Sequence, residues 1–451
     1  MKKIRIGSGA GYGGDRIEPA LEIMKKGNID YIVFECLAER TIAICQQQKL
    51  IDAEKGYNEF LEHRMKSVLP ICATNNIKVI TNMGAANPIV AAKVVKKLAL
   101  DLGIKGLKIA AVLGDDVFNI IDKYMDYEIL ETGETLKSIE SKIISANAYI
   151  GTQGIVEALN NGADIIITGR VADPSLVLAP LMYEFGWEKD NYEFLGKGTL
   201  AGHLLECGGQ ITGGYYADPG YKDVPDLWNL GFPIAEVSEN GDITITKLDD
   251  AGGMVTTDTC KEQIIYEIHD PSNYLTPDVI ADFSNVNMEQ IGKNKVLLKD
   301  ASGKEKTGLF KTSIGYKDGF LGEGEMSYGG SGAYERAKLA GDIIEKRLKY
   351  TNASFEELKV DIIGVNSLYN DSLSETINEG NKNFKDVRLR VAARTLTKED
   401  AQVIGNEVEA LYTNGPAGGG GAKKYVKGIV SVASIFVPSD HIDIKVTYEE
   451  V

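Results

Sequence analysis

The chain has 451 residues, 43% hydrophobic and 25% charged, enough for two domains and a large buried core. A net charge of −16 excludes a broad nucleic-acid surface, which needs clustered Lys and Arg, and no stretch approaches the roughly 18 apolar residues of a membrane span. The five cysteines (Cys36, Cys45, Cys72, Cys207 and Cys260) form no C-x-x-C pair, which suits a reducing cytoplasm and offers no ready zinc motif.

In chain order, residues 3–7 (KIRIG) read as a strand. Glycine follows within seven residues and no apolar h-region precedes it, so this is not a signal peptide. A helix over 17–26 and a strand over 30–35 come next, then a helix through LAERTIAICQQQ and another over 60–75. KVITN (78–82) is a strand, and Pro88 opens the helix after it. KIAAVLG (108–114) and DIIITG (164–169) are further strands, the second preceded by the helix GIVEALNNG. This alternation predicts an α/β, Rossmann-like, mostly parallel sheet covered on both faces over residues 1–195. From 196 to 451 glycine-rich segments, short strands and helices (333–349 and 398–413) predict a mixed α+β domain, ferredoxin-like in its last hundred residues.

Ligands of open parallel sheets bind outside the carboxyl ends of the strands. Five successive strand ends here carry polar clusters: SGAGYGGDR, CLAERT, MGAANP, DDV and RVADPS. Ordinary turns explain Gly, Asn and Asp but not also Arg16, Glu39, Arg40 and Arg170, so these ends predict a shared site. The first holds G-x-G-x-x-G at Gly9, Gly11 and Gly14, with Glu35 ending the next strand, which leaves a dinucleotide site open beside a plain anion-holding or tight turn. Asp15 and Arg16 fit a structural ion pair or a substrate carboxylate site, with Gly13 and Gly14 beside them. Glu35 and Glu39, four apart, form an acid–base pair or complement a helix dipole. Cys36 is a core residue, a nucleophile or a metal ligand. Thr81, Asn82 and Asn87 offer uncharged donors, although Asn87 also fits a helix cap. Arg170 needs an anionic partner; Asp173 and Ser175 open the next helix. In GHLLECGGQITGG, His203, Glu206 and Cys207 share a helix face, with Gln210 close behind, and suit acid–base catalysis or metal ligation.

These segments, with FPIAEV, GEGEMSYGG and NGPAGGGG, resemble in this order the AtuA family, named for acyclic terpene utilisation. Some members carry an added ferredoxin-fold domain that in others is a separate small protein, so the resemblance implies a separate ferredoxin-fold subunit for this chain. It also implies the catabolism of branched unsaturated acids and acyl-CoA thioesters, with relatives beside enzymes that need mesaconate hydrated to citramalate. The expectation is therefore a cytoplasmic, oligomeric hydro-lyase acting on such an acid or its CoA thioester, without nucleic-acid or membrane partners. Its catalytic candidates are Glu35, Glu39, His203, Glu206 and Cys207. Its substrate-binding candidates are Gly13, Gly14, Asp15, Arg16, Arg40, Thr81, Asn82, Asn87, Arg170, Asp173, Ser175 and Gln210. No metal or cofactor is expected, with an iron or iron–sulfur centre on Cys36, Cys72 and Cys207 as the exception to watch. An NAD(P)- or flavin-dependent oxidoreductase and a non-catalytic subunit acting with the small partner are the alternatives.

Overall fold

A computed structural model describes residues 1–369, 371–378 and 383–451. Its strands are, in order, β1 (Lys3–Ala10), β2 (Tyr31–Phe34), β3 (Lys78–Thr81), β4 (Lys108–Leu113), β5 (Ile143–Ala148), β6 (Ile165–Thr168), β7 (Ile234–Ser238), β8 (Ile243–Thr246), β9 (Tyr274–Leu275), β10 (Ile280–Asp282), β11 (Asn287–Gly292), β12 (Lys295–Lys299), β13 (Ser302–Lys304), β14 (Leu309–Gly329), β15 (Glu357–Ile363), β16 (Asp386–Thr395), β17 (Gly420–Pro438) and β18 (Lys445–Glu450).

Among the described residues ten strands form one sheet, in the order β11-β12-β8-β7-β1-β2-β3-β6-β4-β18. Its centre, β1-β2-β3-β6-β4, is parallel, and both flanks are antiparallel. Strands β2 and β6 are buried at every position, as apolar strands of a sheet covered on both faces must be. The helices Glu18–Lys26, Leu61–Asn75 and Pro88–Asp101 pack against this centre around Ile32, Phe34, Val79 and Ile165. Pro88 sits at the start of its helix, where its missing N–H costs no hydrogen bond. The strand order differs from the dinucleotide-binding order 3-2-1-4-5-6: here β1 has β2 on one side and the antiparallel β7 on the other.

The chain divides into two compact units, Met1–Gly315 with Val432–Val451, and Tyr316–Ser431. The division is not at residue 195, because β7, β8, β11 and β12 continue the first sheet. The last hundred residues are not one ferredoxin-like unit either. The terminal strand β18 leaves its neighbours in sequence and pairs with β4, residue Lys445 opposite Leu113. In the second unit β16 lies between β14 and β15. The helices Ala333–Tyr350 and Lys398–Glu409 pack on the sheet through Val387, Leu389 and Val391. The alternate residues of β16 form a cross-strand ladder, Arg388 with Glu325 and Arg390 with Glu323 and Asp361.

Candidate functional site

The cleft described here lies wholly in the first unit, with a volume of about 1000 Å³. The carboxyl ends of β1, β2 and β6 open into it, as does the C-terminal end of the helix Tyr192–Glu206. That helix crosses the helix Ser175–Phe185 closely because glycine occupies the crossing. A β-carbon at Gly202 would lie 2.4 Å from the Pro174 carbonyl oxygen, and one at Gly198 2.5 Å from Leu178. The close crossing brings His203 and Glu206 to the strand-end edge.

His203 is buried and held by its neighbours. Its ring stacks on Phe283 at 6.0 Å and lies 5.6 Å from Tyr274. Its Nε2 lies 3.2 Å from the Ile264 carbonyl, which only accepts, so Nε2 carries a hydrogen. Its Nδ1 lies 2.8 Å from Glu206 Oε1. With Nε2 protonated, that contact requires one further proton between imidazole and carboxyl. Burial works against a charged imidazole, but the Glu206 carboxylate outweighs it and the His203 pKa is raised. The second Glu206 oxygen, Oε2, has no hydrogen-bond partner among the described residues.

Glu35, at the end of β2, is buried. Its Oε1 accepts from the Leu37 amide at 2.8 Å and from Asn82 Nδ2 at 3.0 Å. Burial pushes its carboxyl up, against the pull of Arg170 and these donors. Glu39 is the opposite case. Burial opposes its charge, yet the Tyr149 hydroxyl donating at 2.5 Å, its own backbone amide and Lys311 at 3.2 Å hold it down at about 2. Neighbouring carboxyls are thus driven apart in acidity, the arrangement that separates an acid from a base.

Arg170 is fully buried among these groups. Its guanidinium donates to the Leu37 and Val171 carbonyls and to Asp173 Oδ1, and lies 4.4 Å over the Tyr149 ring. Burial opposes its charge, but Asp173, Tyr149, Glu35 and Glu39 hold the proton and raise the pKa. Its backbone amide donates to Asp115 Oδ2 at 2.8 Å, and Asn147 Nδ2 donates to the same oxygen at 3.0 Å. Asp115 therefore ties the ends of β4, β5 and β6 together. A β-carbon at Gly169 would strike its carboxylate at 2.4 Å.

Of the residues expected at the site, Gly13, Asp15, Arg16, Glu35, Glu39, Arg170, Asp173, His203, Glu206, Cys207 and Gln210 line the cleft. Gly14, Arg40, Thr81, Asn82, Asn87 and Ser175 do not. Thr81 donates to the Phe34 carbonyl at 3.0 Å, and Asn82 braces Glu35 and the Cys36 amide. Asn87 precedes its helix without capping it by its side chain, and donates instead to the Ala53 and Lys55 carbonyls. Ser175 donates to Asp278 at 2.6 Å. Asp173 does not cap the following helix, since it faces Arg170. The first glycine turn is filled by the protein itself. The Gly11 amide donates to Asp15 Oδ2 at 3.0 Å, and a β-carbon there would meet the Cys207 carbonyl carbon at 2.4 Å. The close approach that Gly11 permits is made by the Cys207–Gly208 backbone.

All five cysteines are free thiols, and Cys36 accepts from Arg64 at 2.8 Å. Burial raises the Cys36 and Cys207 thiols, which keeps both protonated at neutral pH. Among the described residues no group of three or more His, Cys, Asp and Glu has the geometry to hold a metal ion. No helix among them is long and apolar enough to cross a membrane. Tyr149 and Lys311 join the site unforeseen. Tyr149 follows β5, whose SANA core has low strand propensity and hides a sixth strand end; Lys311 lies on β14, which was expected as a strand but not at this edge.

The fold and cleft define an α/β protein in which strand ends and one helix end gather carboxyls, a histidine and an arginine around one polar cleft. The chain belongs to the AtuA family: the family model described as acyclic terpene utilisation family protein AtuA matches residues 4–448. No curated protein and no solved structure matches it.

Proposed function

We propose that the chain is a hydro-lyase that adds water to, or removes it from, a branched α,β-unsaturated carboxylic acid or its CoA thioester, mesaconate and citramalate being one such pair. The carrying observation is the 2.8 Å contact between His203 Nδ1 and Glu206 Oε1, with Glu206 Oε2 unpartnered among the described residues. Hydration needs a base for water, an acid for carbon and positive charge at the carbonyl end.

Each need has a candidate. Glu206 Oε2 takes a proton from water, whose oxygen bonds to the β-carbon. The alkene electron pair moves to the α-carbon and carboxyl oxygen, toward Lys311 and the field of Arg170. Glu35, whose carboxyl burial pushes upward, delivers the proton to the α-carbon. Dehydration runs the same steps backward. Arg170 acts through its fixed charge and not as a free fork, because carbonyls and Asp173 occupy most of its N–H groups.

The test is loss of alkene absorbance over a panel of branched unsaturated acids and their thioesters, with the chain alone and with a co-expressed small ferredoxin-fold subunit. Hydration predicts turnover of at least one member and its loss in Glu206→Gln. Silence across the panel in both preparations would overturn it.

A further inference from the structure

A second pocket, of about 390 Å³, shares Arg16, Leu230 and Phe232 with the catalytic cleft. Trp228 lines it and is 77% exposed, an unusual position for so large an apolar ring. Ile23 and Leu248 form apolar wall opposite polar rim groups. Arg16 stands between the two cavities. Its guanidinium donates to the Trp228 carbonyl at 3.2 Å, and among the described residues no carboxylate lies within ion-pair distance of it. The other rim cation is engaged: Lys26 bridges Glu22 at 2.6 Å and Asp250 at 2.8 Å.

An open indole face next to an unpaired guanidinium suits a flat heteroaromatic ring carrying one anionic group. We propose that this pocket receives a nucleoside monophosphate moiety, its base on Trp228 and its phosphate at Arg16. Resting on the hydration proposed above, the substrate is then the acyl thioester of a nucleotide-ended carrier and not the free acid, with its acyl end at Glu206. The lining carries two cations, Arg16 and Lys26, against three carboxylates, Glu18, Glu22 and Asp250, so only the phosphate at Arg16 is held and further phosphates add no affinity.

Tryptophan fluorescence tests this directly, because the only other tryptophan, Trp187, is buried. AMP should quench the emission saturably, ATP should bind no tighter than AMP, and inorganic phosphate alone should not quench. Arg16→Gln should weaken AMP binding about tenfold or more, and Trp228→Leu should abolish the quench and weaken AMP binding in calorimetry by a similar factor. Where thioesters turn over, Trp228→Leu should raise their KM about tenfold and leave that of the free acid unchanged. Absence of saturable AMP binding overturns the nucleotide pocket, as does competition for it by a long-chain free fatty acid. AMP binding needs no turnover, so it can stand while hydration falls, and the reverse.

Discussion

Asp115 offers a quantitative handle on the buried polar floor of the cleft. Its carboxylate accepts from the Arg170 amide and from Asn147 Nδ2, yet burial outweighs these donors and pushes its pKa from 3.8 up to about 6. A folded pKa above the unfolded one means that the stabilisation is complete below about pH 3.8 and is lost as pH rises through about 6. A shift of roughly two units, at about 1.4 kcal/mol each, amounts to about 3 kcal/mol. Asp115→Asn cannot ionise and escapes this loss, while its amide oxygen, in the place of Oδ2, still accepts both hydrogen bonds. The free energy of unfolding of the variant minus that of the parent should therefore rise by about 2.4 kcal/mol between pH 4 and pH 7.5, the rest of the change lying below pH 4. Urea titrations at several pH values measure it through tryptophan emission, since Trp187 and Trp228 both lie in the first unit. A difference that stays constant over that range would refute burial as the cause of the shift.

Glu35→Gln and Glu206→Gln should each lower kcat by about 10²- to 10⁴-fold with the circular dichroism spectrum unchanged, the usual weight of one acid or base. The His203–Glu206 pair is favoured below the free-imidazole value of 6.5 and is lost as pH rises through the raised one. An NMR titration should place the imidazole above 6.5, and in Glu206→Gln, where burial is opposed only by the contacts at Gln263 and Ile264, lower than in the parent. Tyr149→Phe removes the donor that holds Glu39 near 2, so the Glu39 carboxyl should titrate at higher pH, as read by carbonyl NMR. Gly11→Ala should destabilise the chain by about 1–3 kcal/mol in denaturant titration, because its methyl group meets the Cys207 backbone.

Much of the fold was legible from periodicity. The central strands and the helices Glu18–Lys26, Leu61–Asn75 and Pro88–Asp101 fall where apolar spacing predicted them. What periodicity cannot convey is pairing. Strands β7 and β18 read as parts of a second domain because sequence distance, not register, was visible, yet β7 pairs with β1 inside the first sheet and β18 forms one of its edges. The candidate site was legible where residue type conflicted with simple turn chemistry, as at Arg170 and Glu39. It was misleading at Asn87 and Ser175, whose side chains serve nearby backbone or a buried aspartate. Tyr149 was hidden because its strand lacks β-branched residues after Ile144. The glycines Gly198 and Gly202 were the unused signal for the helix crossing that delivers His203.

Acid–base hydration is tested most directly by proton NMR of the product formed in D₂O. With an accepted branched unsaturated acid or thioester, the parent protein should yield a tertiary alcohol carrying one solvent deuterium at the carbon next to the activating carbonyl, and Glu35→Gln should form it far more slowly. No alcohol, or an alcohol without deuterium at that carbon, would contradict proton delivery from this cleft.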